Sequence, residues 1–104
     1  MIIYLIIILF MRTFYKSAFK KYIKKQSRAF QLAAEDEIEK IIGDPDAGEA
    51  KKGDLGGFRV HKFKFQRQEY LIAYETQGED MIVYMIGPHE NFYRELKKYL
   101  RETE

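Results

Sequence analysis

Residues 81–86, MIVYMI, are hydrophobic at every position. A strand of that composition has no face to give to water, so it belongs in the middle of a sheet that is covered on both sides. The segment before it, LGGFRVHKFKFQRQEYLIAY at 55–74, reads as a β-hairpin. Residues 58–65 form one strand, 66–68 the turn, and 69–76 a second strand in which β-branched and aromatic residues dominate. Gly78 lies in the next turn. In the first of these strands the alternation changes phase, because Phe58 and Val60 share one parity and Phe63 and Phe65 the other. A β-bulge at His61-Lys62 would bring all four onto the core face and turn Arg59, His61, Lys62 and Lys64 outward together.

The flanking segments have helical spacing. Residues 11–16 fit a short strand. Ser17 then serves as an N-cap, and Phe19, Tyr22 and Ile23 repeat at helical intervals. A second helix covers 28–42, with Phe30, Ala33, Ala34, Ile38 and Ile41 as its apolar stripe. Gly43 ends it and Asp44-Pro45-Asp46 prevents a restart. Residues 43–57 read as a loop. After the apolar strand, Gly87-Pro88 opens a C-terminal helix with Phe92, Leu96, Tyr99 and Leu100 as its buried side. The order β-α-α-β-β-β-α predicts an α+β fold, with two N-terminal helices packed on an antiparallel sheet and a helix at the end.

A chain of 104 residues supplies one domain, read here as residues 11–104. Residues 1–10, MIIYLIIILF, carry no charge. They fall short of the roughly 20 apolar residues of a membrane span and lack the basic start and small-residue cleavage site of a signal peptide. They read as an apolar extension or an elongated first strand. The chain has no cysteine, which removes disulfides and thiolate chemistry and suits a cytoplasmic protein.

Charge is segregated beneath a net value of +2. Residues 12–28 hold seven Lys or Arg and no acid, residues 35–54 eight acids and three lysines, and residues 55–68 no acid at all. Separate basic and acidic faces follow, and a basic face can hold a polyanion.

Two histidines and no cysteine fill no zinc site, and the glycines match neither the dinucleotide nor the Walker pattern. Phosphodiester cleavage remains. RNA carries its own nucleophile, the 2′-hydroxyl, so an enzyme needs only a group to take that proton, a group to protonate the leaving oxygen, and cations for the charged intermediate. His89, expected at a helix N-terminus where the neutral form is favoured, suits proton transfer. Arg59, Lys62, Lys64 and Arg67 suit phosphate. Phe92 and Tyr93 follow His89 by three and four positions, so one ring can stack on a base while the other packs inward.

With these residues in place the chain resembles the RelE/ParE toxin superfamily of bacterial type II toxin–antitoxin systems over about residues 11–100. The resemblance rests on the basic first helix, the acidic second helix, LGGFRVHKFK, EYLIAYE, MIVYMIG and PHENFY. It implies a RelE-like fold and, in the RelE branch, cleavage of mRNA in the ribosomal decoding site. It places His89 in proton transfer, His61, Lys62 and Lys64 at the scissile phosphate, and Phe92 or Tyr93 against a base. The implied partners are a neutralising antitoxin, mRNA and the ribosome, with neither membrane nor cofactor. One position departs from the pattern: many RelE members carry arginine after the tyrosine of the third strand, where this chain has Leu71, and Arg67 in the preceding turn is a candidate substitute. The ParE branch, which inhibits gyrase without nuclease activity, and an inactive binding module of the same fold are the alternatives.

Overall fold

In the computed structural model, which describes residues 12–103, the elements are β1 (Arg12–Tyr15), α1 (Ser17–Lys24), α2 (Arg28–Gly43), β2 (Glu49–Ala50), β3 (Arg59–Phe65), β4 (Gln68–Gln77), β5 (Asp80–Pro88) and α3 (Phe92–Thr103), with a 3-10 turn at Gly53–Leu55. The expected α+β order is met, with the two-residue β2 added inside what the sequence presents as a loop. The apolar extension 1–10 lies outside the described residues.

The five strands form one sheet in the order β1-β5-β4-β3-β2. β5 is interior, as its two-faced hydrophobic pattern requires. From β2 to β5 the pairing is antiparallel, but β1 runs parallel to β5, with Arg12 opposite Asp80 and Tyr15 opposite Val83. The sheet is therefore mixed and not purely antiparallel. The reason is topological. α1 and α2 together form a crossover between β1 and the rest of the sheet, and a connection of that length returns the chain in either direction.

Each face of the sheet has its own core. On one face α1 and α2 lay Phe19, Phe30, Ala34, Ile38 and Ile41 against Phe63, Ile72, Tyr74, Met81, Val83 and Ile86. On the other, Phe92 and Leu96 of α3 join Leu55, Phe58, Val60, Leu71, Ala73 and Tyr84. This two-sided cover accounts for the phase change in β3 without a bulge. Phe58 and Val60 serve the α3 face, Phe63 serves the α1–α2 face, and Phe65 packs against the same core as Phe63. Pairing from Arg59↔Tyr74 to Phe65↔Gln68 is unbroken. The bulge expected at His61-Lys62 is absent. The sheet's irregularity lies between β4 and β5, where Ala73 pairs with Met85 and Tyr74 with Val83, so that Tyr84 is passed over. Tyr84 uses the displacement to place its hydroxyl 2.7 Å from Glu75 Oε1.

Two helix starts differ from the sequence reading. α1 begins after Lys16 with no side-chain cap, and the Ser17 hydroxyl instead meets the Tyr99 hydroxyl of α3 at 3.1 Å. Ser27 is the residue that caps, accepting from the Phe30 N–H. At the other end of the chain Pro88 is the last residue of β5, and α3 begins only at Phe92.

Tyr74 ties the core to the loop after α2. It is fully buried, and its hydroxyl donates to the Pro45 carbonyl (2.6 Å) and accepts from the Gly48 N–H (3.2 Å). A side chain at Gly48 would overlap that hydroxyl, which explains the glycine there. Tyr74→Phe leaves both backbone groups without this partner and is expected to cost about 1–3 kcal/mol. A shift in the midpoint of urea unfolding at unchanged slope measures it; an unshifted midpoint refutes it.

Candidate functional site

β3 presents its cations to two different faces. Arg59 and His61 share the parity of Phe63, whereas Lys62 and Lys64 share that of Val60 and project on the α3 side. The unbroken register thus separates residues that a bulge would have grouped. Arg59 braces the loop after α2: Nη1 donates to the Asp46 and Gly48 carbonyls, each at 2.8 Å. His61 meets α2, where its Nε2 lies 2.8 Å from Glu37 Oε1. Glu37 also accepts from Lys40 Nζ at 2.9 Å. Burial pushes the Glu37 carboxyl up, but the hydrogen bonds from His61 and Lys40 outweigh it and hold the group below the ordinary glutamate range. Arg59 and His61 act as ties between β3 and the α2 side, away from the lysine pair.

The α3 face brings the other residues together. Lys62 pairs across the strands with Leu71, and Leu71 with Gly87; Lys64 pairs with Glu69. His89 follows directly, its backbone N–H donating to the Glu69 carbonyl at 3.0 Å and its Nε2 lying 3.8 Å from Glu69 Oε1. The His89 side chain is 56% exposed, so a substrate can reach it. His89 sits in the turn before α3, its carbonyl accepting from the Phe92 N–H, and not at the helix start. The helix-end argument made for it from the sequence therefore does not apply. Asn91, at φ 65°, supplies the left-handed step that lets the chain turn from β5 into the helix.

Of the two rings, Tyr93 is half-buried and Phe92 is 2% exposed within the second core. Phe92 is thus a packing residue, and base contact from it is ruled out in this arrangement; the two rings meet nearly perpendicular, 5.6 Å apart. Leu71 is fully buried in the same core, so the place of the usual arginine is occupied by packing. Arg67 stands exposed in the two-residue turn of the β3–β4 hairpin, where Gln66 and Arg67 both have positive φ, 49° and 69°. Such turns suit the sheet twist, though glycine or asparagine usually fills them.

One site residue escaped the sequence reading. Lys51, just after β2, places its Nζ 4.7 Å from the centre of the Tyr93 ring and bonds to Glu49. Glu49 and the Tyr93 hydroxyl hold the Lys51 ammonium above the usual lysine range. Lys51 in turn holds the Glu49 carboxyl low, with a smaller contribution from Lys62. Only the two-residue pairing of β2 with β3 carries Lys51 to this face, and nothing in the local sequence marks it.

A family model described as the ParE-like toxin of type II bacterial toxin–antitoxin systems matches residues 13–97. A search of curated proteins returns no match. Among solved structures the fold is similar to the toxin–antitoxin complex RelBE of E. coli, with a TM-score of 0.62 at 13% identity over 77% of this chain and 98% of that one. It is also similar to a doubly substituted E. coli toxin RelE in the free state, with a TM-score of 0.67 at 13% identity over 88% and 96%. A conserved hypothetical protein of Helicobacter pylori gives 0.55 at 20% identity over 76% and 94%. Among the described residues no helix is long and apolar enough to cross a membrane.

The Glu37–His61 pair predicts a pH dependence. A carboxyl whose pKa is lowered on folding contributes stability above its unfolded pKa and loses it as pH falls through the folded value. Wild type should be more stable than Glu37→Gln at pH 7, and the gap should close below about pH 4. Urea unfolding of both proteins across that range measures it. An equal gap at both ends would remove Glu37 as a source of acid sensitivity.

Proposed function

The chain belongs to the ParE-like toxins of type II bacterial toxin–antitoxin systems; from the residues gathered at its site, and not from that membership, we propose that it is an endoribonuclease that cleaves ribosome-bound mRNA and is neutralised by an antitoxin. The observation that supports this reading is the gathering of Lys62, Lys64, His89 and Tyr93 on the α3 face of one sheet. The 2′-oxygen attacks the adjacent phosphorus while the bond to the 5′-oxygen breaks, leaving a cyclic phosphate and a free 5′-hydroxyl. One proton leaves the 2′-hydroxyl and one reaches the departing oxygen. His89, kept close to Glu69, takes the proton of the 2′-hydroxyl. Lys62 and Lys64 face the charge that develops on the phosphoryl oxygens, and either ammonium can supply the second. Tyr93 offers its ring to a base. The E. coli relative RelBE is a toxin–antitoxin complex, and by analogy an acidic antitoxin segment would cover these lysines.

A second reading, gyrase inhibition without cleavage, has its own support: the matching family model is that of ParE-like toxins, and Leu71 is fully buried where many RelE members carry arginine. The two readings part cleanly. Mapping mRNA ends after induction finds cuts within codons under the first and none under the second, while a supercoiling assay responds only under the second.

Under the nuclease reading, His89→Ala should slow single-turnover cleavage by about 10²–10⁴-fold with the fold intact, because the side chain is exposed. Cleavage at the wild-type rate would remove His89 from the mechanism. Replacing Lys62 and Lys64 with glutamine should weaken binding to RNA and flatten its dependence on salt, since every phosphate deprived of its lysine releases about one counterion fewer. A salt slope equal to that of wild type would leave these lysines as a solvated surface.

A further inference from the structure

Lys51 is held as if its position mattered. Its backbone N–H donates to the Phe58 carbonyl at 2.9 Å, and its side chain is only 20% exposed. The ammonium stands over the Tyr93 ring. Glu49 bonds that ammonium and balances its charge. Tyr93 packs against the second core beside the nearly perpendicular Phe92 ring, and the ammonium lies over its ring. A partly exposed tyrosine in the first turn of a helix keeps some rotamer freedom at its outer face, and ordering it on binding would cost affinity. With its charge matched by Glu49, Lys51 has little to offer a phosphate; what it offers is a set orientation for the ring, through cation–π attraction.

We infer that Lys51 is a positioning residue that fixes the Tyr93 ring as the platform on which one nucleobase of the RNA stacks. The inference rests on the nuclease reading above and names how that site holds its substrate. It separates Lys51 from Lys62 and Lys64: removing Lys51 changes recognition of a base, whereas removing the other two changes recognition of charge.

The test uses the full chain and programmed ribosomes carrying a short mRNA whose 2′-hydroxyls are methylated, so that it binds without being cut. Copies of the mRNA carry one abasic nucleotide, scanned through the decoding-site codon. Wild type should prefer the intact mRNA over one of the abasic copies by about 5- to 150-fold, the range for stacking a base on an aromatic ring. Tyr93→Leu should lose that preference. Lys51→Met combined with Glu49→Gln, which leaves net charge unchanged, should lose most of it while keeping the wild-type salt slope. Lys51→Arg, which retains the cation over the ring, should keep it. An undiminished preference in the double variant would overturn the inference and leave the nuclease reading standing, as would a wild type indifferent to every abasic copy. Failure of wild type to engage the programmed ribosome at all would overturn the nuclease reading, and this inference with it.

Discussion

The structure depends on a sheet whose central strands have no face to spare. Leu71, Ile72, Ala73 and Tyr74 are consecutive in β4 and all fully buried, so β4 needs protein on both sides. α1 and α2 meet the need on one face and α3 on the other. Once both faces are covered, little of the sheet is left for a substrate. His89 stands exposed in the turn before α3, beside Glu69 near the start of β4. Lys64, Glu69 and His89 gather there, with Tyr93 in the first turn of the helix.

Much of this was legible in the sequence. A run with no polar face, MIVYMI, placed β5 in the interior, and helical spacing of apolar residues located α1, α2 and α3. Two features were not legible because they depend on partners distant in sequence. The parity change in β3 admits two explanations, a bulge or a second core. The choice between them turns on whether α3 folds back over Phe58 and Val60, which the strand itself does not record. The parallel pairing of β1 is hidden in the same way, since a four-residue strand carries no mark of its direction.

The candidate site shows the same division. His89, Lys62, Lys64 and Tyr93 were found because charge and aromaticity are local properties. Arg59 and His61 were grouped with them wrongly, because the inferred bulge put all the β3 cations on one side; with regular pleating, alternate residues go to opposite faces. Of Phe92 and Tyr93, one ring was expected to meet a base and the other to pack inward; Phe92 is the one that packs, in line with Leu96 on the buried side of α3. Lys51 was missed because its neighbour in space, Tyr93, lies far along the chain.

The parallel strand at the sheet's edge also governs how this chain comes to be folded. Arg12 and Asp80 are 68 positions apart, whereas the β3–β4 and β4–β5 hairpins join near neighbours. Local pairs form quickly and distant ones slowly, so β1 is the natural last strand to join. On the ribosome the order is stricter. β1, α1 and α2 emerge before the strands they pack on, and β1 has nothing to pair with until Asp80–Val83 has been made. Until then the apolar stripes of α1 and α2 lack the sheet that covers them, and such exposed surface invites association. The residues of the α3 face come from Lys51 onward and close only when Phe92 and Leu96 seat. A nascent chain of this topology therefore has no assembled site until α3 has been made.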